Sequence, residues 1–310
     1  MKTILKLNII VIFVLCCYTA VGQQLPQFTQ YMYNTISINP AYAGSRETLS
    51  LVGLHRSQWV GIDGGPTTQT LSIHSPMRNE KVGLGLSFIN DELGYQNFSF
   101  LYADFSYTIQ TGINTKLAFG LKSGFTSYSF DNELFLETDG TLTGDPSLLG
   151  LEDRWGFNIG AGVFWHSDKW YLGYSMPRIL NTDYHKQDGF EALERVSHYL
   201  TAGYVFDLGG NTKFKPAAML KMTDGAPISF DLTANFLFNE KFWLGAGYRF
   251  NESAGALGGL VDFQVSRNLR IGYTYEHPIS DIRPYSDGTH EILLMFEVFN
   301  EKRIKSPRYF

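Results

Sequence analysis

The chain has 310 residues with a formal net charge of −5 at pH 7; 44% of them are hydrophobic, 15% aromatic and only 18% charged. The mild acidic excess argues against a nucleic-acid partner, because such partners select basic surfaces. No apolar stretch reaches the roughly 20 residues that a spanning helix needs, so a helical membrane protein is excluded and a β-barrel is the remaining spanning architecture.

Residues 1–22 have the composition of a cleavable secretory signal. Lys2 and Lys6 supply positive charge, an apolar run extends from Leu7 to Cys17, and the small residues Ala20 and Gly22 precede Gln23. This order predicts export and cleavage. Both cysteines lie within the signal, so we expect the mature chain to fold without disulfide bonds. Lipid attachment is the weaker interpretation, because neither cysteine has both the preceding small residue and the leucine three positions earlier.

Residues 23–46 lie between this signal and the first predicted strand, and we call them the leader. They include an Asn-Pro step, which biases the backbone to an extended turn. We expect the leader to fold against or into the lumen of a barrel from the periplasmic side, as a plug; packing along the barrel wall is an equally good interpretation. The leader residues singled out are Tyr31, Asn34, Asn39, Pro40, Tyr42 and Gly44.

From residue 47 to residue 299, apolar residues recur at every second position and polar stretches interrupt the alternation. This pattern predicts an all-β fold, a transmembrane outer-membrane β-barrel of about 14 antiparallel strands. The strands are predicted at 48–59, 68–74, 82–88, 101–109, 117–121, 155–165, 170–176, 196–208, 214–222, 228–238, 242–250, 257–265, 269–275 and 292–298.

Charged residues within these strands fall on the face opposite the apolar one. A charge on the lipid face costs about 2–4 kcal/mol near the midplane for Arg or Lys, so this facing favours a membrane barrel over a soluble sandwich. Aromatic residues such as Trp155, Trp165, Trp170 and Phe242 lie near strand ends, where a girdle belongs. The charged residues predicted to face the lumen are Asp104, Lys122, Lys215, Asp231, Arg249, Asp262, Arg270, Glu276, Glu291 and Glu297.

The connections alternate between short and long, as they do in an even-stranded barrel with short periplasmic turns and longer outer loops. The longest predicted loops are 128–154, 177–195 and 276–290. Residues 300–310 form a basic periplasmic tail, which either docks on an acidic partner or lipid headgroups or is a solvated end. Its basic residues are Lys302, Arg303, Lys305 and Arg308.

Catalytic, cofactor and metal sites are not predicted. The seven histidines are scattered, and none has the local spacing of a nucleophile and its base. The acidic residues between 133 and 145 lack the regular ligand positions of an EF-hand loop, so a solvated loop is the better interpretation than a Ca²⁺ site. Glycines near residues 83–85 and 255–259 do not sit between a strand and a helix, as a nucleotide fingerprint requires; in a barrel wall they make room for a plug or relieve strand bending.

The sequence resembles the PorP/SprF family of outer-membrane proteins from the type IX secretion and gliding-motility apparatus. The resemblance rests on Gln30–Asn34, Ile38–Gly44, Arg56–Gly61, Gly65–Thr68 and the ending Ser306–Phe310. It implies a role in the secretion or surface attachment of particular large adhesins, with secretion components of the periplasm and outer membrane, the adhesin and membrane lipid as partners. The family supplies no catalytic residues.

One motif of this resemblance is rich in turn-forming residues. A rigid loop at the outer rim that contacts a partner is predicted for this motif; a turn that only sets strand register is the alternative. The residues concerned are Arg56, Gln58, Trp59 and Pro66, with the glycines between them.

The alternative function for the whole chain is passive transport of small or lipidic solutes, because a barrel of about 14 strands can enclose a lumen.

Overall fold

The computed structural model describes residues 27–131, 153–187, 190–251 and 254–298. The predicted signal, the acidic residues between 133 and 145 and the basic tail with Lys302, Arg303, Lys305 and Arg308 lie outside the described residues.

Strands form almost the whole described chain, and the three helices are single 3₁₀ turns, η1 (Thr35–Ser37), η2 (Pro40–Tyr42) and η3 (Arg283–Tyr285). None of the helices in the described part is long and apolar enough to cross a membrane. The strands are β1 (Leu49–Val60), β2 (Thr67–Pro76), β3 (Val82–Leu93), β4 (Gln96–Gln110), β5 (Thr115–Phe130), β6 (Arg154–Ser167), β7 (Trp170–Met176), β8 (Thr182–Gln187), β9 (Phe190–Glu194), β10 (Ser197–Tyr204), β11 (Phe206–Gly209), β12 (Thr212–Thr223), β13 (Ser229–Phe238), β14 (Phe242–Phe250), β15 (Ala256–Gln264), β16 (Leu269–Pro278) and β17 (Gly288–Val298).

Consecutive strands pair antiparallel around a closed wall. The wall closes where β1 pairs with β17, from Leu49 opposite Val298 to Val60 opposite Gly288. β8 and β9 pair only with each other, as a separate hairpin. β10 and β11 both pair with β12 and are two pieces of one spanning strand. The wall therefore has 14 strand positions, and the predicted all-β barrel is confirmed.

Alternation along each strand separates an apolar outer face from a polar inner one. In β4, Leu101 and Phe105 are exposed while Tyr102 and Asp104 are buried. Since side chains of a strand alternate between its two faces, the exposed apolar residues form the outside. The charges predicted to face the lumen are buried, apart from Arg270, which is half-buried with its guanidinium 5.1 Å from the centre of the Tyr33 ring.

The two ends of the barrel differ in their connections. We call the end with the short turns 77–81, 111–114, 168–169, 210–211, 239–241 and 265–268 the turn rim. The other end is the loop rim, with connections 61–66, 94–95, 131–153, 177–196, 224–228, 251–255 and 279–287. The three longest connections, 131–153, 177–196 and 279–287, all lie on the loop rim, as predicted. The alternation is not strict, since only residues 94–95 join β3 to β4 there, and 224–228 and 251–255 are no longer than 77–81 on the turn rim.

The hydrophobic core lies inside the barrel, because the leader packs against inward-facing wall residues. Ile36, Ala41 and Tyr42 of the leader are buried with Ala118 and Phe164 of the wall. A larger cluster joins the leader to β1, β10, β12 and β17, and it comprises Phe28, Tyr31, Met32, Tyr33, Ile38, Val52, Leu54, Tyr199, Met219, Leu293 and Met295.

Candidate functional site

The described part of the leader runs along the lumen from the loop-rim half to the turn rim. Near the loop rim, the side-chain amide of Gln27 donates to Ser229 Oγ at 3.0 Å and to the Asp231 carboxylate. Near the turn rim, the backbone N–H of Gly44 donates to Nδ1 of His74 at 3.1 Å. The chain then enters β1 at the turn rim, so the leader passes through most of the barrel's height.

Five charged wall residues form a buried cluster in the loop-rim half. Arg56 pairs with Glu276 at 2.8 Å and also with Glu291. Arg249 pairs with Asp231 at 2.7 Å and with Glu276 at 3.3 Å. Buried charges are tolerated only when they are paired and hydrogen-bonded, and here each carboxylate has at least one arginine partner from the wall itself.

The same carboxylates bind the start of the described leader. The backbone N–H groups of Thr29 and Gln30 donate to the two oxygens of Glu291, at 2.8 and 3.1 Å. The Thr29 hydroxyl donates to Glu276. Hydrogen bonds to a charged acceptor are stronger than neutral ones. The charged residues therefore pair with one another and also anchor the leader.

Two asparagines hold the middle of the leader. Asn34 donates from Nδ2 to Thr70 Oγ1 and accepts from Ser72 Oγ, each at 2.8 Å. Asn39 donates from Nδ2 to the Val163 carbonyl at 3.1 Å, and its Oδ1 accepts from the Ala41 N–H at 3.0 Å. The second bond caps η2, in which Pro40 occupies the first turn, a position where its missing N–H costs nothing.

Glycines of the wall make room for the second half of the leader. A Cβ atom at these positions would overlap with leader atoms, several of them backbone atoms. This close approach needs glycine because it has no side chain. The opposed residues are Gly83 and Ala43, Gly85 and Ile36, Gly120 and Ala41, and Gly162 and Asn39.

The leader ends in an aromatic and charged group near the turn rim. The Tyr42 ring meets the rings of His74 and Phe164 edge-on, with centroids 5.4 and 5.3 Å away. Arg46 follows and pairs with Glu297 at 2.6 Å, with both side chains buried. These contacts tie the last residues before β1 to three wall strands.

Two further tyrosines of the leader lie fully inside the barrel. Burial, more than any neighbour, raises the pKa of both Tyr31 and Tyr33 well above the ordinary value. Loss of the phenol proton would leave an anion buried away from water, so both rings act as neutral groups. The ammonium of Lys215 lies 5.6 Å from the centre of the Tyr33 ring.

The predicted loop that begins at Arg56 is corrected by the structure. β1 continues to Val60, since it pairs with β2 as far as Ser57 and with β17 as far as Val60. Arg56 is therefore an inward-facing strand residue and not a rim residue. Gln58 and Trp59 also belong to β1, and Pro66 accepts the Gln58 N–H at 2.8 Å. The connection itself is confined to residues 61–66. Partner contact by Gln58, Trp59 and Pro66 stays a prediction.

Sequence reasoning identified the inward charges but did not connect them to the leader. Their pairing depends on which strands become neighbours and in what register, and no local spacing carries that information. Among the described residues, no group of three or more His, Cys, Asp or Glu side chains is arranged to hold a metal ion.

The chain is similar to known proteins both in sequence and in fold. A family model described as the type IX secretion system membrane protein PorP/SprF matches residues 20–296. Among solved structures, the chain is similar to the CymD monoaromatic hydrocarbon channel, at 13% identity and a TM-score of 0.53, over 90% of this chain and 95% of that one. It is also similar to Omp33 of Acinetobacter baumannii, at 8% identity and a TM-score of 0.48, over 81% of this chain and 98% of that one. No curated protein matches the chain.

Proposed function

Because the chain belongs to the PorP/SprF family of type IX secretion system membrane proteins, we propose that it assists the secretion or surface attachment of particular large adhesins in a gliding-motility or related apparatus. Its family and closed barrel are those of an outer-membrane protein of the secretion machinery rather than of an enzyme. The proposed partners are periplasmic and outer-membrane components of that machinery and the adhesin itself.

The observation that supports a scaffold rather than a diffusion pore is the filled lumen. Water-filled porins have a polar interior that solutes can cross. Here the leader occupies that space, and Gln30, Ile36 and Ala41 are buried to at most 1% exposure. We propose that the leader acts as a permanent plug, so that the rims and not the lumen carry the function.

The delivery role is tested in cells that lack this chain and in the same cells complemented with it. The expected result is the loss of one or a few large surface proteins and of colony spreading, with other secretion and solute uptake unchanged. Complementation with the full chain should restore both. An unchanged surface with altered solute uptake would instead establish the passive transporter.

The plug role is tested on purified protein in planar bilayers. The full chain should give no stable conductance, whereas a chain without residues 24–44 should conduct, because the space that the leader occupies becomes available to water. Heat-modifiable electrophoretic mobility would show that the shortened barrel has folded. Equal conductance of the two folded barrels would refute the plug while leaving the delivery role intact.

A further inference from the structure

The side-chain composition of the barrel's outer face changes near the loop rim. Over most of its height this face consists of apolar residues, such as Leu86, Leu101, Leu121 and Leu294. Close to the loop-rim ends of the strands it carries histidines and tyrosines. Outward facing follows from strand pairing, because residues directly opposite each other share a face. The histidines with this placement are His55, His198, His277 and His290.

His290 of β17 is the centre of the larger group. The register places it opposite Ser57 of β1 and Tyr275 of β16. The Tyr273 hydroxyl lies 2.7 Å from its Nδ1, and the Tyr275 ring lies 5.2 Å from its own ring. Tyr275 in turn donates its hydroxyl to the carbonyl of Asp287 at 2.9 Å. His290 is therefore held by two tyrosines of the neighbouring strand β16.

A second pair with the same chemistry lies on other strands of the wall. The Tyr174 hydroxyl of β7 is 2.9 Å from Nδ1 of His198 in β10, and the two rings stack with centroids 6.2 Å apart. His198 is the second residue of its strand at the loop rim. The arrangement of His290 is thus repeated at the same end of the barrel.

The turn rim has a different outer girdle. There Trp165 and Trp170 meet edge-on at 4.9 Å, and Phe238 lies 6.4 Å from Phe242. Within the described ranges, no histidine faces outward at that end; His74 and His166 lie on the inner face. Tryptophan and tyrosine are general features of membrane interfaces, so the imidazoles distinguish the loop-rim leaflet.

Burying an imidazole or hydroxyl group in the hydrocarbon core of a bilayer costs free energy. The height along the barrel at which these groups occur on the outer face therefore marks the lipid headgroup region. In each pair the tyrosine hydroxyl occupies Nδ1, so Nε2 is the ring nitrogen that can bind a further group. An anionic oxygen selects the forms of the ring that carry a proton on Nε2, because those forms can donate to it.

We propose that His290 and His198, each held by its tyrosine, bind the phosphate groups of anionic lipids in the leaflet at the loop rim. The chemistry that fits is a phosphomonoester headgroup, which offers several anionic oxygens to one imidazole donor. The sites would fix the depth and orientation of the barrel, and they do not depend on which adhesin the chain serves.

The test uses the purified full chain and the variant His198→Phe/His290→Phe, with native mass spectrometry in mixtures of phosphatidic acid and a diacylglycerol with the same acyl chains. The full chain should retain phosphatidic acid about three- to tenfold over diacylglycerol, and the variant should show about equal retention. Trp165→Phe at the turn rim is the matched control and should keep the preference.

Three results would overturn the proposal. They are the absence of a preference in the full chain, an undiminished preference in the histidine variant that has folded by electrophoretic mobility, and complete competition by inorganic phosphate at millimolar concentration. The last result would assign the sites to free phosphate rather than to lipid.

Discussion

Between Gln27 and Asn34 the leader donates hydrogen bonds to side-chain oxygens of the barrel wall and packs its apolar side chains against the wall, whereas between Thr35 and Gly44 its backbone lies against wall glycines. The carboxylates that bind Thr29 and Gln30 of the first half also pair with arginines of the wall. The second half depends on a close steric fit. The two halves should therefore respond differently to substitution.

The two halves of the leader differ in what their detachment would leave behind in the wall. If Thr29 and Gln30 leave, Glu291 still pairs with Arg56 and Glu276 still pairs with two arginines. If residues around Ala41 leave, the space beside Gly120 is left empty, and empty space beside buried side chains is costly. The charged cluster therefore stays paired when Thr29 and Gln30 detach, whereas detachment of the glycine-lined residues leaves an unfilled space.

The largest effect is expected from Arg56→Met. This substitution leaves Glu291 without its arginine and Glu276 with only Arg249, and breaking a buried ion pair costs about 3–5 kcal/mol. Amide hydrogen exchange should accelerate at Thr29 and Gln30 and change little in residues 40–44. Lys116→Met, which breaks a partly exposed pair with Glu47, should change stability by less than about 1 kcal/mol.

Equal acceleration along the whole leader would contradict the division into two halves, since it would show that the charged cluster holds both of them.

A smaller effect is expected from Gly120→Ala, which tests the other half. Its Cβ would overlap with the backbone of Ala41, and overpacking of this kind costs about 1–3 kcal/mol. Exchange should now accelerate at residues 40–44 first. The control is Gly259→Ala on the outer face, where an added Cβ meets no described atom within 4 Å. A lower midpoint of thermal unfolding in both variants would contradict this reasoning, since it would show that an added methyl group destabilises the wall wherever it lies.

The smallest effect is expected from Thr29→Val, which removes a hydroxyl but keeps the side-chain volume. It deletes the donation to the Glu276 carboxylate. A hydrogen bond to a charged group contributes about 1.5–3 kcal/mol, and the lower end of this range is expected because two arginines still satisfy this carboxylate. Urea denaturation of the refolded barrel should show a loss in this range, against less than about 0.5 kcal/mol for Thr111→Val, whose hydroxyl is hydrogen-bonded at the exposed turn rim. A loss as large as that of Arg56→Met would mean that the arginines alone do not satisfy the carboxylates.

The sequence predicted the strands well because alternation is a local property. The strand count and the facing of charges such as Asp104 and Glu276 follow from it directly. The location of the leader stays open between the lumen and the barrel wall, since a segment without periodicity does not indicate which surface it covers. The sequence assigns Arg56 to a loop because glycines and a proline follow it closely, although the sharp turn begins only at Trp59, whose φ of +55° is unusual for a bulky residue.

The position of the leader inside a closed wall also sets an order of events in assembly. Gln27 meets Asp231, 204 residues further on, and Arg46 meets Glu297 across 251 residues. Contacts between such distant positions form late and slowly. The binding site for Thr29 and Gln30 is incomplete until β16 and β17 are present, and β1, which follows the leader directly, must pair with β17 to close the seam. Completion of the chain therefore comes before closure of the barrel, and a truncated product would be left with both an open edge and a leader whose first residues are undocked.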